Sequence, residues 1–275
     1  MVQKNQLFLG ANNRKSVLDL IEPETEFSEL ILFLHGYKGY KDWGAWNLAG
    51  EMFAQHGIAF CSFNFSHNGG SPENPIDFPD LEAFANNRYS YELDDVKAVI
   101  RWLTENGYGD KNIHLIGHSR GGGIAVLSAL ENDVKSLITW ASVADFEERF
   151  PKGDAFETWK KEGIRYVENG RTKQQMPHYF SFYEDFVQNK ARLDILATAK
   201  KLRTKNIPCL HIHGDKDEAV SPNDAERLAQ ATGGKKIIIP QTNHTFDSKH
   251  PWTKNQLPDT LEKVCTYTID FILQK

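Results

Sequence analysis

Residues 30–34 read Leu-Ile-Leu-Phe-Leu, an apolar run with no polar interruption, which suits a strand covered on both faces of a sheet. Shorter or weaker runs of the same kind fall at 58–63, 113–116, 136–141, 207–212 and 236–239, and two modest strand candidates at 6–9 and 15–21 precede them all. Between these runs the apolar spacing changes to that of a helix. Residues 46–55 have helical character ending at Gly57, and 91–106 place Val96, Val99, Ile100 and Leu103 on one face. Helical spacing returns at Ile124, Leu127 and Leu130, near 223–231, and at 260–273. This alternation predicts an α/β fold with a doubly wound, mostly parallel sheet, and the simplest count is one domain over residues 1–275 with an insertion.

The insertion is expected after the sixth strand, at about 145–200, because the chain between Ala141 and Asn206 is longer than one crossover helix needs. It contains Ile164-Arg165-Tyr166-Val167-Glu168, then Asn169-Gly170, then a second run at 171–175, and Asn-Gly between two such runs is a hairpin turn signal. Aromatic-rich pieces at 150–159 and 179–186 flank it. The segment therefore reads as a cap over the carboxyl ends of the strands, with a surface hairpin as the alternative.

Composition narrows the setting. Hydrophobic content of 40% and charged content of 25% are ordinary for a folded soluble chain, and a net charge of −5 provides no field for nucleic acid or an anionic membrane. Three widely spaced cysteines, Cys61, Cys209 and Cys265, make a disulfide framework unexpected. Cys61 and Cys209 lie inside apolar runs, where a thiol serves as a small buried hydrophobe. The first residues lead only into the short patch Leu7-Phe8-Leu9, far below signal-peptide or membrane-span length, so a cytoplasmic protein, monomeric or homodimeric, is expected.

Chemistry is concentrated in Gly117-His118-Ser119-Arg120-Gly121, set between the strand candidate at 113–116 and the small-residue run at 122–127. A serine flanked by two glycines can sit on a sharp strand-to-helix turn that bulky neighbours would block, leaving its hydroxyl to project alone. A serine nucleophile needs a base, and the base needs a carboxylate to fix its tautomer. Asp217, in the loop after the strand ending near Ile212, is the expected acid; Asp215 is its near competitor and Asp145 a third option. His244, just past the strand at 236–239, is the expected base among ten histidines, whereas His211 and His213 are expected to satisfy backbone groups. No pair of histidines with a carboxylate has trustworthy metal-ligand spacing, so neither metal nor cofactor is expected. The loop His35-Gly36-Tyr37-Lys38-Gly39 follows the strand at 30–34, so the N–H groups of Tyr37 and Arg120 can form an oxyanion hole.

The order and context of His35-Gly36-Tyr37, the pentapeptide around Ser119, Gly214-Asp215-Lys216-Asp217 and His244 resemble the α/β-hydrolase superfamily over most of the chain. In that family the residues after the His-Gly pair and after the serine supply the oxyanion hole, which implies Tyr37 and Arg120. The segment 63–71 resembles the family's loop after its fourth strand. Single-domain architecture with an insertion after the sixth strand is similar to microbial feruloyl or cinnamoyl esterases and to the dienelactone-hydrolase-like group. Dienelactone hydrolases proper use cysteine, so Ser119 favours an esterase acting on a small-molecule ester. Phe150, Phe156, Trp159, Tyr166, Tyr179 and Phe182 are candidates to wall an apolar or aromatic acyl pocket, or else are packing residues. Phe150, Trp159 and Tyr166, together with His35 and His118, are the candidate substrate-binding residues. A peptidase or thioesterase, or a non-catalytic binding module of the same fold, are the competing expectations.

Overall fold

The computed structural model describes residues 1–274. Among these described residues, ten strands and nine α-helices follow one another as β1 (Val2–Leu9), β2 (Lys15–Ile21), β3 (Glu29–Leu34), α1 (Trp46–Gln55), β4 (Ile58–Phe63), α2 (Leu81–Ala85), α3 (Tyr89–Leu103), β5 (Asn112–His118), α4 (Arg120–Glu131) and β6 (Ser136–Trp140). They continue as α5 (Asp154–Glu162), β7 (Ile164–Glu168), β8 (Gln175–Tyr179), α6 (Ser181–Gln188), α7 (Ile195–Thr204), β9 (Cys209–Gly214), α8 (Asn223–Thr232), β10 (Lys235–Ile239) and α9 (Asp259–Ile272). Eight strands form one sheet in the order β1-β2-β4-β3-β5-β6-β9-β10, antiparallel at β1-β2 and β2-β4 and parallel from β4 onward.

The unbroken apolar strands are explained by helices on both faces. Successive side chains of a strand point to opposite sides. In β3, Leu30, Leu32 and Leu34 join one buried cluster with α3, α4, α7 and α8, while Ile31 and Phe33 join another with α1 and α9. The five apolar residues of β4 divide in the same way: Ala59, Cys61 and Phe63 face the first cluster, Ile58 and Phe60 the second. The three cysteines are free and buried. No helix among the described residues is long and apolar enough to cross a membrane.

Two sequence expectations are corrected. The first strand begins at Val2 rather than residue 6, because it is an edge strand whose exposed polar residues hide it from an apolar reading. The hairpin exists as β7 and β8, but Glu168 pairs with Gln175, so the turn is a six-residue loop and not a two-residue Asn-Gly turn. Asn169 closes that loop: its N–H donates to the Gln174 carbonyl and its carbonyl accepts from the Lys173 N–H. The left-handed position is Lys173 (φ 60°), so residues 171–174 are loop and the second strand starts at Gln175 rather than directly after Asn169-Gly170.

A parallel sheet places all its strand ends on one rim, and small residues let the elements meet there. A Cβ added at Gly117 would lie 2.2 Å from the Gly121 carbonyl oxygen, and one at Gly121 would lie 2.4 Å from the Leu34 carbonyl oxygen. Both contacts are with backbone, which cannot rotate away. Gly117→Ala is expected to cost about 2–4 kcal/mol of stability through overpacking against backbone, read as a lower urea midpoint at unchanged slope.

Candidate active site

Ser119 sits between the last residue of β5 and the first of α4 with φ 57° and ψ −121°, a conformation rarely tolerated outside glycine. The strain is held by its surroundings: its N–H donates to the Trp140 carbonyl, and its carbonyl accepts from the Gly122 and Val143 N–H groups. Gly36 packs directly on it, since a Cβ there would come within 2.9 Å of the Ser119 Cβ. That approach brings the Gly36-Tyr37 turn beside the serine. Arg120 is the first residue of α4, where an N–H has no acceptor inside its helix, and the Tyr37 N–H makes no hydrogen bond among the described residues.

Asp217 and His244 come from neighbouring loops after β9 and β10. These loops are stitched together by Lys216 N–H to the Thr242 carbonyl (3.0 Å), and Gly214 lets them meet, because a Cβ there would lie 2.2 Å from the same carbonyl. The His244 Nδ1–H donates to Asp217 Oδ2 at 2.7 Å. Asp217 Oδ1 accepts from the Ala219 and Val220 N–H groups at 2.8 and 2.9 Å, so both carboxylate oxygens are used. Burial would raise the Asp217 pKa, but the hydrogen bonds from His213 and His244 outweigh it and hold the carboxyl below the usual carboxylate range. Asp215 is exposed and its Oδ1 accepts only from Thr242 N–H, and Asp145 turns toward Glu147 and Arg227; neither touches His244.

Ser119 and His244 line the same two cavities. One, of about 340 Å³, is walled by Tyr89, Phe146, Phe150, Trp159 and Phe182, among others. The other, of about 450 Å³, includes Trp43, Trp46, His118 and His250. Among the expected substrate-binding residues, Phe150 and Trp159 face the first cavity and His118 the second. His118 also has a structural bond: its Nε2–H donates to the His244 carbonyl at 2.9 Å, and burial holds it neutral with a pKa of about 3.

His35 and Tyr166 are not brought to the site. His35 is buried, its Nε2 accepts from Phe65 N–H, and its ring packs on Phe65, which makes it a brace between the ends of β3 and β4. Tyr166 is 60% exposed because alternate residues of β7 face solvent. Phe156 and Tyr179 also lie outside both linings; Tyr179 donates its hydroxyl to Glu82 and Phe156 packs on Trp159.

Several residues were missed. His213 was expected to satisfy backbone, yet its Nε2 lies 2.9 Å from Asp217 Oδ2 as well as 3.1 Å from the Val220 carbonyl. It is fully buried at the end of β9, and a histidine inside an apolar strand was the available signal. Arg165 and His178 face the first cavity from β7 and β8, Lys38 reaches it from a loop and Arg149 from the single 3-10 turn Glu147–Arg149. Among the described residues, no group of three His, Cys, Asp or Glu side chains is placed to hold a metal ion.

The fold and this rim arrangement define a class, and comparison agrees. Residues 31–253 match the alpha/beta hydrolase family, and the chain belongs to that family. It is 24% identical over 237 residues to a curated Mycoplasma pneumoniae protein named "Putative esterase/lipase 2", covering 80% of this chain and 82% of the relative. It is similar in structure to Est1E of Butyrivibrio proteoclasticus, with a TM-score of 0.71, 20% identity and 97% of each chain covered. Dienelactone hydrolase from Anabaena variabilis superimposes with a TM-score of 0.65 at 15% identity, covering 99% of this chain and 98% of the other.

Two predictions follow from the carboxylate. An Asp pKa that is lower in the folded than in the unfolded chain, where it is about 3.9, stabilises the fold above that value and less as pH falls through the folded value. The stability gap between the protein and Asp217→Asn is therefore expected to be widest near neutrality and to shrink below about pH 4 in urea titrations. His213→Leu, which removes one hydrogen bond to Asp217, is expected to lose about 1–2 kcal/mol of stability in the same assay, and a loss below a few tenths would show the His213 contact to be idle.

Proposed function

We propose that this chain is a carboxylic ester hydrolase that works through an acyl-enzyme on Ser119, with residues 145–200 as a cap over the site. The observation that carries the reading is the 2.7 Å Asp217–His244 hydrogen bond, made by an imidazole that shares two cavities with a serine on a strained elbow.

In this scheme the Ser119 hydroxyl adds to the ester carbonyl as His244 Nε2 takes its proton. Asp217 holds Nδ1–H, fixes the reactive tautomer and stabilises the imidazolium without itself accepting the proton. The carbonyl oxygen, now an oxyanion, is met by the N–H groups of Tyr37 and Arg120. His244 returns the proton to the departing alcohol, leaving an acyl-serine. Water then adds to that ester, giving its proton to His244, which passes it to the departing Ser119 oxygen as the acid leaves.

Two cavities meeting at one serine suit an ester, which has an acyl half and an alcohol half to seat. The aromatic walls of the smaller cavity favour a medium-sized or aromatic group. Esterase naming of the Mycoplasma pneumoniae relative, and a structure of Est1E with ferulic acid bound, support ester chemistry, while similar structures of puromycin hydrolase keep the peptidase reading as its competitor.

Ser119→Ala is expected to abolish p-nitrophenyl ester hydrolysis while keeping the folded spectrum, and Asp217→Asn to lower kcat by about 10⁴-fold. Asp215→Asn should be mild; if it proves the crippling change, the acid assignment is wrong. A fluorophosphonate probe should label Ser119. Faster turnover of peptide amides or acyl-CoA thioesters than of any ester would favour the peptidase or thioesterase reading, and a folded protein that resists the probe would favour a binding module.

A further inference from the structure

The smaller cavity beside Ser119 is lined by four cationic side chains, Lys38, Arg120, Arg149 and Arg165, and by no carboxylate. Among the described residues, no acidic side chain lies within 4 Å of the nitrogens of Lys38, Arg149 or Arg165. Arg120 alone has an acidic partner, Glu92, through one nitrogen at 3.2 Å. The Arg165 Nε is buried with no hydrogen-bond partner at all, and its guanidinium rests 4.9 Å above the Trp159 ring. Lys38 reaches only the Glu168 carbonyl, and Arg149 the Ala219 carbonyl.

Cations gathered at one cavity without a counter-charge repel one another, and Lys38, Arg120 and Arg165, which are half-buried, also lose part of their hydration, whereas Arg149 stays exposed. The repulsion registers on the groups themselves. Burial first, and Arg120 after it, lower the pKa of Lys38, and burial followed by Arg120, Arg165 and Lys38 drives His178 well below its ordinary value. Glu92 relieves Arg120, whose pKa is raised against the effect of burial chiefly by that carboxylate, but it pairs with none of the other three cations. A cavity with aromatic walls and unpaired guanidinium donors matches a flat or extended organic group that ends in an anion, which an arginine fork can hold by two hydrogen bonds.

We propose that this cavity is an anion subsite, so that the preferred ester carries a carboxylate-class anion on the half seated between Ser119 and Arg165. This inference rests on the esterase reading above and specifies its substrate class. Arg165, on β7 of the small hairpin, makes the selective contact, and Arg120 and Lys38 supply the surrounding field.

Two matched pairs test it. In the first, p-nitrophenyl hemiadipate is compared with p-nitrophenyl heptanoate, which places the anion on the acyl half. In the second, the acetate of 4-hydroxyphenylpropionate is compared with the acetate of 4-propylphenol, which places it on the alcohol half. The ratio of kcat/KM, anionic over neutral, is expected to be about ten- to a hundredfold in one pair, and to fall toward one in Arg165→Gln. Should that variant not fold, free adipate is expected to inhibit neutral-ester turnover by the parent protein competitively, while its neutral diamide does not.

A ratio of one or less in both pairs, or a high ratio untouched by Arg165→Gln, overturns the anion subsite while leaving the esterase reading intact. If no ester of either kind is turned over, the esterase reading fails instead. Calorimetric titration with adipate then decides the subsite alone: saturable binding lost in Arg165→Gln supports it, and its absence overturns it.

Discussion

The carboxylate of Asp217 ties the site together. One oxygen takes two backbone N–H groups of its own loop, and the other takes His244 and His213. Those contacts gather the loop after β9, the loop after β10 and the interior of the sheet at one buried point. The position of the imidazole relative to the serine is thus set by a group that cannot change its charge near neutrality without losing its partners. The fold contributes the rest: parallel strands deliver every loop to one rim, and glycines at 36, 117, 121 and 214 remove the side chains that would hold those loops apart.

Much of this was legible in the chain. The bounds of α1 and β4 match the apolar pattern residue for residue, because each is bordered by an unambiguous breaker or by a change of spacing. The elbow was legible for a related reason: a strand, a serine between glycines and a helix of small residues fit a single local geometry. Asp217, with two residues between it and Gly214, is the acid of that loop that touches His244, and Asp215 is not.

What the pattern concealed is of two kinds. The edge strand β1 is polar, so composition pointed to a shorter strand than the one formed, and the β7–β8 loop closes through Asn169 and Lys173, so the second strand starts later than the Asn-Gly signal implied. The side chains around the serine were a different problem. His35 and Tyr166 were placed near it by their position in the chain, yet one packs inward as a brace and the other faces solvent. Arg165 and His178, one strand apart in a small hairpin, converge on the cavity only through tertiary docking of β7 and β8. No spacing rule reports which cation in a segment rich in Lys and Arg will line the cavity beside Ser119.

The account stands or falls on a covalent bond. Rapid acid quench of the protein during turnover of a slowly deacylated ester, followed by peptide mapping in a mass spectrometer, looks for that bond directly. A mass increase equal to the acyl group is expected on the peptide containing Ser119, and none in Ser119→Ala. Ester turnover with no adduct, or with the adduct on another residue, would contradict it.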